Sequence, residues 1–148
     1  MSAMAAFVAV AAAPALAGVY GNARFGYSIA YPPELVPQPE SENSDGRAFR
    51  SADGRVEALV WGAYNALDES PAQLAAEAER DCGAPPTYRR VTAAFFAISC
   101  AAGGRVFYEK MLIRGDTLTA FRITYPAADH VRWDRVTAQM SASLTPAR

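Results

Sequence analysis

His130 is the only histidine in this 148-residue chain, so acid–base chemistry near neutral pH has a single imidazole to draw on. A hydrolytic triad needs that ring beside a nucleophilic Ser or Cys and an orienting carboxylate. Ser28, Ser51, Ser70, Ser99 and Ser141 are present, and none sits in a Gly-x-Ser-x-Gly elbow. Asp134 lies one helical turn after His130, and the two share a face. Two ligands are too few for a metal centre. The segment reads as a solvated helix start, with Asp129 or a neighbour as its cap. Glu77, Glu79 and Asp81 sit with Arg80 on one outer helix face, whereas glycosidase carboxylates must oppose each other across a cleft. Ala102-Gly103-Gly104 is a turn rather than a phosphate cradle. Arg114-Gly115-Asp116 spells the integrin-binding tripeptide, but a tight Gly-Asp turn accounts for it. No catalytic, cofactor-binding or metal residue is assigned, and no cofactor is implied.

Two other sets of residues remain. Cys82 and Cys100 are the only cysteines. In an oxidising compartment an even pair in a small domain reads as one disulfide. It would close a loop of about 17 residues, worth roughly 3 kcal/mol in the chain-entropy treatment. Trp61 and Tyr64 stand where a strand leaves the sheet. With the proline-rich stretch around Pro37–Pro39 they form a candidate ligand cleft, since such pockets are apolar with a few polar anchors. The plainer reading places both aromatics in the core or at its rim.

The compartment is suggested by the first seventeen residues. Met1–Ala17 carries no charged side chain and closes on Ala15-Leu16-Ala17 before Gly18. That is the layout of a secretory signal peptide cleaved after Ala17, which implies a periplasmic or secreted protein. Met1-Ser2-Ala3-Met4 lacks Lys and Arg, so either the terminal amine supplies the positive end or the true start lies upstream. The apolar run is short for a membrane anchor and meets Pro14. No later stretch runs long without charge, so no membrane span is expected after signal removal. No Cys follows the cleavage triplet to accept a lipid.

Residues 18–148 are long enough for one domain with a single core. Fourteen basic against fifteen acidic side chains give a net charge of −1, which offers nothing to a nucleic acid. The doublet Arg89-Arg90 reads as a solvated strand end.

The elements follow from periodicity. Phe25, Tyr27, Ile29 and Tyr31 alternate along a half-buried strand that Pro32-Pro33 stops. Glu34–Gly46 reads as a surface loop. Arg47–Ser51 and Arg55–Trp61 flank the turn Ala52-Asp53-Gly54. In the second of these strands Val56, Ala58 and Val60 share one face, with Leu59 and Trp61 on the other. Ser70-Pro71-Ala72-Gln73 combines an N-cap, a first-turn proline and a capping-box glutamine. It predicts a helix from Pro71 to Cys82 that ends at Gly83. Leu74, Ala75, Ala78 and Cys82 fall on its inner stripe. Tyr88–Cys100 reads as one strand.

Arg105–Arg114 and Thr117–Tyr125 form a hairpin over Gly115-Asp116 that sets Glu109 opposite Arg122. Both of its faces are apolar. Val106, Tyr108, Leu112, Phe121, Ile123 and Tyr125 make one, and Phe107, Met111, Ile113 and Leu118 the other. Such a sheet must be covered on both sides. A C-terminal helix with Trp133, Val136, Met140 and Leu144 on one stripe supplies the second cover.

This frame resembles the PsbP-like fold, shared by the photosystem II extrinsic subunit and a nuclear Ran-binding factor. The residues that carry it are Phe25-Gly26-Tyr27-Ser28-Ile29-Ala30-Tyr31-Pro32, the late Ile123-Thr124-Tyr125-Pro126, and the helix end Met140-Ser141-Ala142-Ser143-Leu144. The resemblance implies an α+β domain with a central antiparallel sheet of about six strands and helices on both faces. It also implies a non-enzymatic binding or accessory role toward an unidentified protein or small ligand in the bacterial envelope. The competing expectation is a small secreted hydrolase or metal-dependent enzyme whose site the sequence hides.

Overall fold

The computed structural model describes residues 16–146. The signal-type segment therefore lies outside the described residues, apart from Leu16 and Ala17. The elements in chain order are β1 (Gly18–Gly21), β2 (Ser28–Tyr31), β3 (Val36–Glu40), β4 (Gly46–Arg50), β5 (Glu57–Tyr64), α1 (Pro71–Cys82), β6 (Tyr88–Val91), β7 (Phe95–Ala102), β8 (Arg105–Arg114), β9 (Thr117–Pro126) and α2 (His130–Ser143). A 3-10 turn over Ala127–Asp129 leads into α2. Strands β3 to β9 form one seven-stranded antiparallel sheet, ordered β3-β4-β5-β9-β8-β7-β6, and β1 pairs with β2 separately.

The long hairpin forms as its periodicity requires. Glu109 opposes Arg122, Tyr108 opposes Ile123 and Met111 opposes Ala120. Gly115 takes φ +59° in the turn, a conformation that suits glycine because it has no Cβ. α1 starts with the full capping box of Ser70 and Gln73 and ends with Gly83 left-handed.

The sheet separates two cores. On one face Phe49, Val56, Ala58, Val60, Phe121, Ile123 and Tyr125 pack with Tyr27 and Ile29 against Trp133, Val136 and Met140 of α2 and against Leu144 just beyond it. On the other, Phe96, Ile98, Cys100, Phe107, Met111, Leu118 and Ala120 pack against Leu74, Ala75, Ala78 and Cys82 of α1. Burial of each large apolar side chain contributes about 1.5–3 kcal/mol. The Cys82–Cys100 disulfide ties α1 to β7, with Cα atoms 6.0 Å apart.

Three local expectations are corrected. Glu34–Gly46 contains a strand, β3, bent by a register shift between Pro37 and Glu40. Its prolines are tolerated because it is an edge strand, where missing N–H groups cost no ladder bond. Tyr88–Cys100 is a hairpin rather than one strand. Thr92 makes the turn, its Oγ1 accepting from the N–H groups of Ala94 at 3.2 Å and Phe95 at 3.1 Å. No Gly, Pro, Asn or Asp marks this turn, so its signal was invisible. Phe25–Tyr27 belongs to a turn rather than a strand. Asn22 holds it, its Oδ1 accepting from Phe25 N at 2.7 Å, while Gly26 adopts φ +71°. The sheet therefore has one strand more than expected, and the aromatic segment pairs with β1 outside it.

Candidate functional site

A cleft of about 870 Å³ opens between the β4–β5 turn, the chain after β2, and the first turns of α2. The turn is braced by its own hydrogen bonds. Gly54 N–H donates to Ser51 C=O at 2.9 Å, and Asp53 Oδ1 accepts from Ser51 Oγ at 2.7 Å and Arg55 N–H at 3.0 Å. These bonds, that of Ser51 first, hold the Asp53 carboxyl below its ordinary pKa. Val56 and Trp133 are buried beneath the cleft, and Val131 is exposed at its rim. Arg132 donates to Glu34 Oε1 at 2.7 Å across the opening. Glu34 Oε2 is buried with no hydrogen-bond partner among the described residues. Arg55 and Arg135 also line the space. Arg135 has no ion-pair partner among the described residues. A concavity of this size is within the range of small-molecule sites, and its lining combines an apolar floor with convergent charged groups.

No local signal in the sequence marks this cleft. Its walls come from three segments far apart in the chain, and none of them carries a motif.

The aromatics proposed from sequence do not converge. Trp61 and Tyr64 are three residues apart on β5, and side chains on a strand alternate between faces. Trp61 therefore packs with the α1 core. Tyr64 lies on the opposite face against Phe25, with ring centroids 5.1 Å apart. Trp61 does line a shallow depression of about 410 Å³ with Pro39, Ala48 and Leu59. Pro37 pairs with Phe49 and so sits on the other face of the sheet.

His130 is exposed, its Nδ1 3.2 Å from Asp134 Oδ2. The other Asp134 oxygen accepts the Tyr125 hydroxyl. Burial and that carboxylate push the Tyr125 hydroxyl well above the usual phenol range. Asp129 makes no side-chain cap, because α2 simply continues the preceding 3-10 turn. Among the described residues, no three His, Cys, Asp or Glu side chains stand together as metal ligands. No described helix is long and apolar enough to cross a membrane.

Search of known structures gives a likeness over nearly the whole length. The solution structure of cyanobacterial PsbP (CyanoP) from Synechocystis sp. PCC 6803 superposes with a TM-score of 0.66, covering 97% of this chain and 98% of that one at 10% identity. The fold is PsbP-like. A crystal structure from Bacteroides thetaiotaomicron matches with a TM-score of 0.50 and 13% identity, over 82% of this chain and 45% of its own. No protein-family model matches the sequence, and no curated protein matches it either.

Within the PsbP-like frame one charged cluster is built into the sheet. Arg122 donates to Glu109 Oε2 at 2.7 Å and to Asp81 Oδ2 at 2.7 Å. Its guanidinium lies 5.6 Å from the Trp61 ring centroid and 4.9 Å from that of Phe107. Burial raises the Glu109 carboxyl above its ordinary pKa, and Arg122 opposes that rise. Asp81 is on α1 and the other two on the hairpin. The cluster thus fastens the helix to the sheet beside the disulfide, and every charged group in it is already engaged.

Proposed function

We propose that this protein is an exported, non-enzymatic accessory protein of the bacterial cell envelope, and that it binds an amphipathic anion in the cleft between the β4–β5 turn and α2. The observation that carries the binding reading is the cleft itself. Its floor of Val56 and Trp133 suits an apolar body, and Arg135, which forms no ion pair with the lining carboxylates Glu34, Asp53 and Asp129, suits an anionic head. The buried Glu34 Oε2 is an acceptor that a ligand N–H would satisfy. The accessory role is what the PsbP-like likeness implies, and the disulfide and the signal-type N-terminus both suit an oxidising compartment.

Titration with 1-anilinonaphthalene-8-sulfonate tests the site, because that probe joins an apolar body, a sulfonate and one N–H. Its emission should rise saturably with the intact protein. Arg135→Glu should weaken binding roughly tenfold while leaving the fold unchanged. Absence of saturation, or equal binding by the variant, removes the assignment.

A further inference from the structure

The two edges of the seven-stranded sheet are unlike each other. β3 carries Pro37 and Pro39, whose missing N–H groups blunt it against further pairing. β6 has no proline, and no strand lies beyond it among the described residues. Thr92 N–H bonds Phe95 C=O at 2.8 Å. With Val91 opposite Phe96 and Arg90 opposite Ala97, bonded pairs alternate along the ladder. Arg90 therefore turns its backbone groups toward β7, while Arg89 and Val91 turn theirs outward.

The side chains give this edge a charge sense. Arg89 points toward α1, where it pairs with Glu79 at 2.6 Å. Arg90 points to the opposite face and is exposed. It has no ion-pair partner among the described residues, and its guanidinium rests 5.3 Å from the Phe95 ring centroid. Lys110 lies in the same cross-strand row, through Ala97. Its ammonium is 5.4 Å from the same ring and donates to the Ser141 carbonyl at 3.3 Å. Tyr88 shares this face and is 49% exposed. Two cations without carboxylate partners among the described residues thus flank one aromatic ring beside an open backbone edge.

We propose that β6 receives an extended acidic segment of a partner protein as an eighth strand, its acidic side chains on the Arg90 and Lys110 face. A residue added opposite Arg90 would form a direct cross-strand charge pair. On the reverse face Arg89 is already neutralised by Glu79, so the facing is set by the Arg90 side. A second copy of this chain fits poorly, because edge-to-edge pairing places arginine against arginine. The Arg89-Arg90 doublet is not the strand end that its sequence suggests but the middle of a short strand on the free edge. This surface lies at the opposite edge of the sheet from the β4–β5 turn that lines the cleft, so the two assignments fail independently.

The test is fluorescence anisotropy with a labelled octapeptide of alternating Thr and Glu, against its Thr–Lys counterpart and an oligothymidylate of equal length. Saturable binding of the Thr–Glu peptide alone is expected. Arg90→Glu with Lys110→Glu should weaken it by roughly tenfold or more. Arg89→Pro, which removes an outward N–H and the part-exposed Glu79 pair but no β6–β7 bond, should do the same with only a small fall in melting temperature. No saturable binding, equal binding of the oligothymidylate, or full affinity in Arg90→Glu/Lys110→Glu overturns the proposal. A dimer in sedimentation that Arg89→Pro dissolves would assign the edge to a second copy and also overturn it.

Discussion

Replacing Arg122 with Met isolates the energetics of one buried charge. Glu109 is 2% exposed, and Arg122 is the cation bonded to it, at 2.7 Å. Met retains an unbranched apolar stem between the Trp61 and Phe107 rings, so the change removes charge more than volume. A buried carboxylate stripped of its partner costs about 3–5 kcal/mol. The bond from Arg122 to Asp81 adds little, because the Asp81 side chain is 56% exposed and such pairs are screened. The dependence on pH has a definite sign. Burial already raises the Glu109 pKa in the folded state, and loss of Arg122 raises it further. A carboxyl with a raised folded pKa destabilises the fold above that pKa, and the penalty is relieved as pH falls through it.

Urea unfolding followed by tryptophan emission should therefore show Arg122→Met less stable by about 3–5 kcal/mol near pH 8, with a clearly smaller loss near pH 5. The double variant Glu109→Leu/Arg122→Met should recover most of the loss and show no such pH difference. Equal losses at both pH values, or a loss under about 1 kcal/mol near pH 8, would refute the claim that an uncompensated buried carboxylate dominates.

Further outcomes follow from the signal-type N-terminus, from the disulfide and from the packing of β4 on β5. Protein recovered from the periplasm should begin at Gly18 by N-terminal sequencing and carry no free thiol, and Cys82→Ala/Cys100→Ala should lower stability by about 3 kcal/mol in the same urea assay. Gly46→Ala should destabilise by at least about 1–3 kcal/mol, because its Cβ would come within 2.0 Å of the Val60 carbonyl oxygen and 2.9 Å of Trp61 Cα. A melting temperature unchanged by that substitution would show that β4 and β5 separate more easily than their packing suggests.

Where local chemistry decided the outcome, it was legible in the chain. Ser70, Pro71, Gln73 and Gly83 define α1 without tertiary help, because capping and left-handed termination involve neighbours in sequence. The Gly115-Asp116 turn pins the hairpin register, and period-two alternation then assigns every large side chain on β8 and β9 to its face. Where a bond partner was distant or unconventional, reading failed. Thr92 turns the chain with one hydroxyl, and Pro37 and Pro39 sit in a strand only because that strand is at an edge.

The order of residues alone determined which segments are amphipathic, where α1 and the long hairpin begin and end, and that the hairpin's sheet needs a roof on each side. Only tertiary structure decided that Trp61 and Tyr64 point apart and that Glu34, Arg55 and Arg135 gather around one opening. It also decided that Arg122 meets Asp81 as well as Glu109, and that β6 rather than β3 offers a free edge. Periodicity is a property of a single element, whereas clefts, charge clusters and sheet edges depend on strand order, which no local signal encodes.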